Sequence, residues 1–421
     1  MSQEVMRKAR ELDRYRWCLL RERHGVLGSA LRFAREMLSD LLFGVRARLS
    51  LAQVVEGETC DFLLLQSAPK VIAFQRKKLL MQALRERGHV LIETALPEAS
   101  IIVRQRLLCA PLYKVPLRYF GYAAHVQWLM ARYQPRILLN DRNGSLYAPF
   151  LRMALNQRDA LLVHLAHATT VEGSSRLGMN DYDYYFLFGQ SSLEALQARA
   201  LRFGASTAVL AGSHMIDGAF DLPASDPDRR VMLVLGVGPD KEKEHGYQRT
   251  YALLQAWALQ NPSYRLLIKA HPRSAVPFWH EAAARSTQVE VLPRDCGLAD
   301  ALKQASVVIN IMSNAVIEAA LARRPVVYVN AGEQQDIFSQ EQFFGACITD
   351  VEQLQQRVLE IEAGYADCVG AAERFADYHL AQGSQGLLRN LQLLEQLQRT
   401  GHCEGVCLPP AHLTEPSRTM E

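Results

Sequence analysis

The most chemically suggestive residues in the second half of the chain follow the apolar run at 266–268. His271 stands just beyond this run and is flanked by Lys269 and Arg273. Pro272 favours an extended exit from a strand and denies His271 a helical backbone. A histidine there can hydrogen-bond a phosphate and protonate a departing nucleotide, and the two cations would favour an anion. Taken alone, an ordinary loop histidine is the simpler interpretation.

A second group of polar residues follows the predicted strand at 307–311. Ser313 and Asn314 open a predicted helix, where a hydroxyl and free backbone N–H groups make an anion site. Glu318 lies four residues after Asn314 and therefore on the same helix face. A carboxylate there can accept both hydroxyls of a ribose. A helix N-cap and a surface glutamate are the alternatives, although the neighbours of Glu318 are small or apolar.

Two glycines, Gly236 and Gly238, follow the predicted strand Val231–Leu235. Glycine permits a tight turn and lets a phosphate approach the backbone. The pattern is not completed to G-x-G-x-x-G, because lysines and a glutamate at 241–243 intervene. We therefore exclude a nicotinamide-binding fingerprint.

The first half offers three candidates for a general base: Asp141, His167 and Glu172. Each lies in a loop after a predicted strand, and each could accept a proton from an acceptor hydroxyl. For Asp141 a turn-forming role is the alternative, because Asp and Asn near glycine form turns. His164 falls inside a strand and is predicted to be structural.

Alternating strands and helices position these residues. In the second half, five strands and four helices alternate within about 100 residues, the pattern of a doubly wound Rossmann-like domain. The first half alternates less regularly and includes one predicted helix over residues 69–87. In open α/β sheets ligands bind at the carboxyl ends of the strands, where all these candidates fall.

The stretch 213–229 is rich in Asp, Pro, Gly and Ser and is the best linker candidate. We predict a basic helical segment at 1–55, Rossmann-like domains at 56–215 and 216–370, helices crossing back at 371–400 and a polar tail at 401–421.

Residues 1–48 carry eleven Arg or Lys against six acids. Apolar residues recur at helical spacing at Leu27, Leu31, Ala34, Leu38, Leu41 and Leu42. Two interpretations stay open: this helix lies on an anionic membrane surface, or it packs half-buried on the first domain. Residues 101–134 leave a similar choice between a membrane or acceptor contact and core packing.

The bulk composition excludes several classes. With 421 residues, 49% hydrophobic and 22% charged, the chain is typical of a globular protein, and its net charge of +3 is too small for a nucleic-acid binder. No apolar run reaches the roughly 18 residues of a membrane span, and the N-terminus lacks a signal peptide. We expect a cytoplasmic protein, with contact with the inner face of the membrane left open by the basic helix.

The eight cysteines are scattered and do not form a disulfide framework. His402, Cys403 and Cys407 form H-C-x-x-x-C, but a second pair of ligands is missing, so free thiols are expected. No Asp-x-Asp stands at a strand end. We therefore expect no metal.

Two stretches of the second half, L-L-I-K-A-H-P and I-N-I-M-S-N-A-V-I-E-A-A, resemble the donor domain of bacterial GT-B transferases of the capsule, sialyltransferase-like and CDP-glycerol glycerophosphotransferase-like kind. In that group a His-Pro motif and a Ser-rich helix start hold the nucleotide phosphates. The resemblance implies these roles for His271 and Ser313, and ribose binding for Glu318. In the first half, I-L-L-N-D-R-N-G and L-V-H-L-A-H-A resemble the acceptor domain, although Ala168 replaces the glycine that follows the histidine.

The resemblance implies a GT-B fold of two Rossmann-like domains facing a central cleft, with a nucleotide-sugar donor in the second domain. The first domain would hold a glycan or lipid-linked glycan acceptor of surface polysaccharide or lipopolysaccharide. Asp141 or His167 would be the base, and Lys269, His271, Arg273 and helix N-termini would stabilise the leaving phosphates without a metal. Two alternatives remain: an epimerase of the UDP-GlcNAc 2-epimerase type, which shares this fold, and a catalytically degenerate GT-B assembly protein.

Overall fold

Two units, each built around a parallel β-sheet, make up the chain. The computed structural model describes residues 2–52, 55–169, 175–332 and 334–411. The first unit comprises Met1–Phe188, Ser192–Met215 and Leu387–Glu421, and the second comprises Gly189–Ser191 and Ile216–Gly386. The chain thus leaves the first unit within residues 213–229 and later returns to it.

The strands of the first unit are apolar because both faces of a parallel sheet are buried. They are β1 (Cys60–Gln66), β2 (Leu91–Ala95), β3 (Pro135–Asn140), β4 (Leu161–Leu165), β5 (Tyr184–Leu187) and β6 (Ser206–Leu210). They pair in parallel in the order β6-β5-β4-β3-β1-β2. Their side chains Phe62, Leu64, Leu139 and Val163 are fully buried in one core cluster.

The helices that precede and connect these strands are α1 (Ser2–Arg21), α2 (Val26–Leu49), α3 (Pro69–Ile72), α4 (Lys78–Glu86), α5 (Ala99–Arg104), α6 (Leu117–Tyr133), α7 (Ala148–Asn156) and α8 (Gln190–Ala198). The single helix predicted over 69–87 is wrong, because α3 ends at Ile72 and Gln75 takes a left-handed backbone (φ 47°). The break brings Lys77 to the position just before α4.

The basic segment predicted at 1–55 belongs to the first unit. Helix α1 buries Val5, Leu12 and Tyr15, and Arg16 forms a buried ion pair with Asp40 of α2 at 2.7 Å. Helix α2 packs along α6. Most of α6 is itself buried, so core packing explains the apolar and aromatic residues of α6 within the stretch 101–134.

The second unit contains β7 (Val231–Leu235), α9 (His245–Gln260), β8 (Arg265–Lys269), α10 (Pro277–Arg285), β9 (Val289–Val291), α11 (Leu298–Gln304), β10 (Val307–Asn310), α12 (Ala315–Leu321), β11 (Val326–Tyr328), α13 (Gln340–Phe344), α14 (Val351–Ala363) and α15 (Tyr365–His379). Its strands pair in parallel in the order β11-β10-β7-β8-β9. This is the strand order of a doubly wound sheet, as the alternation predicts.

The last elements are α16 (Gly386–Thr400) and β12 (Val406–Leu408). Two predicted boundaries differ from the structure here. Of the helices predicted to cross back at 371–400, only α16 lies mainly in the first unit, since α15 lies in the second. The predicted polar tail includes a strand, because β12 pairs antiparallel with the otherwise open edge of β6. Among the residues that the structure describes, no helix has the length and apolar character of a membrane span.

Close packing between α2 and α6 depends on Gly44. A Cβ at this position would collide with the carbonyl oxygen of Leu117, which is backbone and cannot move aside. We predict that Gly44→Ala lowers the free energy of unfolding of the first unit by about 1–3 kcal/mol, because overpacking forces the two helices apart. Urea denaturation followed by circular dichroism measures the change.

Gly28 in the same helix is the matched control, since a Cβ there meets only the Cβ of His24 at 3.6 Å. Gly28→Ala should leave stability unchanged or raise it by up to about 1 kcal/mol through helix propensity. Equal losses in the two variants would contradict the role given to Gly44.

Candidate functional site

The sheet order of the second unit brings three loops together at one edge. Strand β7 lies between β8 and β10, and all three are parallel. Their carboxyl ends therefore lie at the same edge, with the switch in strand order between β7 and β10. The loops that follow carry Gly236 after β7, His271 after β8 and Ser313 after β10.

The loops after β7 and β8 touch through backbone. Gly236 donates its N–H to the carbonyl of Lys269 at 2.9 Å. A Cβ on Gly236 would lie 2.7 Å from the backbone nitrogen of His271, so a side chain there would push the two loops apart. The loop is further fixed by Ser274, whose hydroxyl donates to the carbonyl of Val237 at 2.7 Å. Gly238 faces more open space, with the Arg273 guanidinium 3.9 Å from its Cβ position.

The His271 imidazole is partly exposed at this edge. Its Nδ1 accepts the backbone N–H of Arg273 at 3.2 Å. Partial burial and the Arg273 charge lower its pKa, while Glu242 opposes them. A neutral ring whose Nδ1 accepts must carry its proton on Nε2, so His271 presents an N–H donor at neutral pH. Lys269, at the end of β8, is half-buried.

A buried amide network holds the loop after β10. Asn310 accepts the backbone N–H of Ser313 at 3.0 Å and donates to Gln340 at 2.8 Å. The Gln340 amide in turn donates to the carbonyl of Ile311 at 3.3 Å. The network holds the backbone at Ser313, and it could not be predicted from the sequence because Gln340 lies 30 residues away from Asn310. Asn314, the N-cap of α12, is exposed and makes no side-chain cap bond.

Glu318 has an unusual environment in α12. Its Oε2 is buried and has no hydrogen-bond partner among the described residues. Burial raises the pKa of its carboxyl to about 7. A buried polar atom without a partner is costly and is often met by a ligand. This property distinguishes Glu318 from a surface helix glutamate.

Residues that follow β7 interact with the loops on both sides of this strand. The Tyr247 hydroxyl, near the start of α9, lies 3.5 Å from the sulfur of Met312, the neighbour of Ser313. On the other flank, Glu242 lies close enough to His271 to act on its pKa. The strand order thus places the loop of His271 on one side of β7 and the loop of Ser313 on the other.

The first unit gathers a charged cluster at the carboxyl edge of its own sheet. The Lys77 ammonium donates to Oδ2 of Asp141, in the loop after β3. The Lys77 and Asp141 side chains are 2% and 10% exposed, so the ion pair is buried. The remaining oxygen, Oδ1, has no partner among the described residues. Asp141 is therefore held by a cation rather than serving as a turn residue only.

Two histidines join this cluster. His167, after β4, is exposed, but its ring is partly desolvated by the surrounding protein, and this lowers its pKa; the Asp141 charge opposes the shift, while the Lys77 and Arg76 charges add to it. His214, after β6, is buried, and burial together with the Lys77 and His167 charges lowers its pKa to about 3. Both imidazoles are neutral at pH 7.

His164 lies inside β4, fully buried, with its Nε2 2.8 Å from the amide oxygen of Asn143. It stacks on Tyr182 at 4.3 Å between ring centroids. This is a structural position, as the sequence indicates. Glu172, the third candidate base, lies outside the described residues.

A cavity of about 710 Å³ opens beside the loop that follows β3. One wall is the segment that directly follows Asp141, including Arg142, Asn143 and Tyr147, and the other is formed by α1 and α2. Arg16 of α1, Arg32 of α2 and Arg23 of the turn between them are among the lining residues. Glu36 and Asp40 also line the cavity and pair with Arg16, so the lining carries both signs of charge. The cavity is large enough for a small organic ligand.

The cysteines are free, and Cys403 is buried with its backbone N–H donated to the Tyr184 hydroxyl at 3.3 Å. Within the described ranges no group of three or more His, Cys, Asp or Glu side chains could hold a metal ion.

No protein-family model matches the chain, and no curated protein gives a significant sequence match. Solved structures do share its architecture. A putative UDP-N-acetylglucosamine 2-epimerase from Listeria monocytogenes is 12% identical with a TM-score of 0.51, covering 84% of this chain and 100% of its own. Another UDP-N-acetylglucosamine 2-epimerase is 12% identical with a TM-score of 0.50, covering 84% and 99%. Together with the two parallel sheets, these likenesses show the two-unit, Rossmann-like GT-B fold that the sequence predicts.

Breaking the Lys77–Asp141 pair should be costly. We predict that Lys77→Met lowers the free energy of unfolding of the first unit by about 3–5 kcal/mol, because a buried carboxylate is left without its cation. Removing both charges in Lys77→Met/Asp141→Leu should recover much of the loss. Urea denaturation of the full chain measures both effects.

The neighbouring Lys78 is exposed and supplies the control. Lys78→Met should change the stability by less than about 0.5 kcal/mol, as is usual at surface positions. If the single variant at 77 were as stable as the variant at 78, the pair would not be the buried anchor described here.

Proposed function

We propose that this chain is a glycosyltransferase that moves a sugar, or a sugar-like group, from a nucleotide-activated donor to a hydroxyl of a surface polysaccharide or lipopolysaccharide acceptor, without a metal. The observation that supports it most is the edge of the second sheet. There the backbone at Gly236 packs directly against the backbone of His271, and Lys269 and Arg273 flank that histidine in the chain.

The second unit would bind the donor. Gly238, whose Cβ position meets only the Arg273 guanidinium at 3.9 Å, would leave room for a phosphate near the backbone, and the Nε2–H of His271 would donate to a phosphate oxygen. Lys269 and Arg273 would balance the charge on the leaving nucleotide. Ser313 would contribute its hydroxyl from the other flank of β7. The partnerless oxygen of Glu318 would accept a ribose hydroxyl.

The first unit would bind the acceptor, with the 710 Å³ cavity lined by Arg142 and Asn143 of the loop after β3 as its place. His167 is the better base of the two candidates, because its ring is exposed and neutral while Asp141 is held by Lys77. As the acceptor oxygen bonds to the anomeric carbon, its proton would pass to His167. The bond from that carbon to the phosphate oxygen would break, and the electron pair would leave with the nucleotide.

An epimerase is the second candidate, favoured by one observation: Asp141, His167 and His214 place several titratable groups in one unit. Against it, Asp141 is the one carboxylate that the described residues contribute to this cluster, and its Oδ2 accepts from Lys77. Incubation with the donor alone separates the two functions, since an epimerase needs no acceptor. A protein that binds neither UDP, GDP, CDP nor CMP in calorimetry would instead be an assembly factor.

We expect His271→Ala to lower turnover by about 10²–10⁴-fold, the usual effect of losing a hydrogen-bond donor to a phosphate or a general acid. His280 on α10 is exposed and makes a matched control, so His280→Ala should retain full activity. Steady-state kinetics with the donor identified by thermal shift supplies the measurement. A folded His271→Ala protein with unchanged turnover would remove the proposed mechanism.

Ribose recognition by Glu318 makes a separate prediction. At pH 8, above its pKa of about 7, the carboxylate is mainly ionised and can accept a ribose hydroxyl. The chain should therefore bind a ribonucleotide roughly tenfold or more tightly than its 2′-deoxy analogue, the worth of a hydrogen bond to a charged group. Glu318→Gln should reduce this preference, as measured by calorimetry.

Glu281→Gln, at an exposed position of α10, is the control and should keep the preference. Tight binding without discrimination between ribose and deoxyribose would be consistent with a nucleotide site in the second unit. It would contradict the role of Glu318 in binding the ribose.

A further inference from the structure

The outward face of α2 is a continuous apolar surface. Its most exposed side chains are Leu27, Leu31 and Leu49, at 87%, 75% and 82% of their full accessibility. The same face carries Leu38, Leu42 and Val45, each more than two-fifths exposed. We name these six side chains the α2 stripe. A single exposed leucine is ordinary, but six in line along one helix mark a surface that contacts something apolar.

Helix geometry shows that the α2 stripe faces away from the protein. Successive residues turn by about 100° around the axis, so the six stripe residues fall within one narrow sector. Phe43, Gly44 and Ala47 fall on the opposite side and are buried. The sequence predicted this apolar periodicity, but in the structure the helix packs through its other face.

The charges of α2 are sorted between the two faces. Arg35 and Arg46 border the α2 stripe on one side and Arg48 on the other, and all three are exposed. The acids of the helix, Glu36 and Asp40, turn to the opposite face, where both bind Arg16 at 3.0 and 2.7 Å. The apolar surface is therefore edged by positive charge with no carboxylate of α2 beside it.

We propose that α2 lies flat on an anionic lipid bilayer, with the α2 stripe at the boundary between headgroups and acyl chains. Arginines at the edges of an interfacial helix place their guanidinium groups among lipid phosphates while their stems cover apolar surface. A second copy of the chain fits this face poorly, because two such stripes would bring arginines against arginines. This inference concerns the location of the protein and does not depend on the transferase proposal.

The test is sedimentation of the full chain with two kinds of vesicle. One is phosphatidylcholine alone, and the other contains roughly one-third phosphatidylglycerol, enough to create a strong negative surface potential. The chain should bind the anionic vesicles and bind the neutral ones at least about tenfold more weakly, and raised salt should weaken the binding.

Two double variants separate the contributions. Leu31→Glu/Leu38→Glu breaks the apolar surface, and Arg35→Glu/Arg46→Glu reverses the charge at one edge. Each should lower binding to anionic vesicles by about tenfold or more. Circular dichroism and thermal melting check that both variants fold, which exposed positions should permit.

Matched controls lie on exposed positions of the second unit. Leu259→Glu/Leu359→Glu replaces leucines that are 61% and 48% exposed. Arg249→Glu/Arg285→Glu makes the same change in net charge. Both should bind like the unaltered chain. Absence of vesicle binding, equal losses in controls and stripe variants, or a dimer in light scattering that the stripe variants abolish would each overturn the proposal.

Discussion

Burial of both faces of a parallel sheet is the constraint on which the rest of this structure depends. Within the strands most side chains are apolar, so most of the polar groups that could bind or react with a ligand lie in the loops at the ends of the strands. Which of these loops become neighbours is decided by strand order. In the second unit β7 lies between β8 and β10, and therefore the loops of Gly236, His271 and Ser313 lie at one edge of the sheet although the chain separates them widely.

The same constraint gives the two units different chemistry at equivalent edges. The second unit presents a glycine loop, a neutral histidine and cations, which suit the binding of an anion. The first presents a buried ion pair, Lys77–Asp141, beside two histidines whose pKa values are lowered. Both His167 and His271 are neutral at pH 7, so one can accept a proton while the other donates a hydrogen bond.

The sequence was sufficient for the alternation of strands and helices and for the residues that follow each strand in the second unit. It was insufficient to predict the position of Lys77. Residues 69–87 have the apolar spacing of a single helix, and no residue type marks the break at Gln75. His214 was hidden for another reason, since it stands in a stretch whose composition indicates a linker. For α2 the period was visible, but periodicity cannot say which face of a helix the protein covers. The Asn310–Gln340 contact required the fold itself.

The return of the chain to its first unit has a consequence for biosynthesis. Leu391, Leu393, Leu394 and Leu397 of α16 lie in the core cluster of the first sheet, and β12 completes its edge. During synthesis from the N-terminus these residues emerge after the whole of the second unit. The apolar face of the first sheet that α16 covers is therefore closed only after the second unit has been synthesised. The order of synthesis and the order in which the core is completed thus differ in this chain.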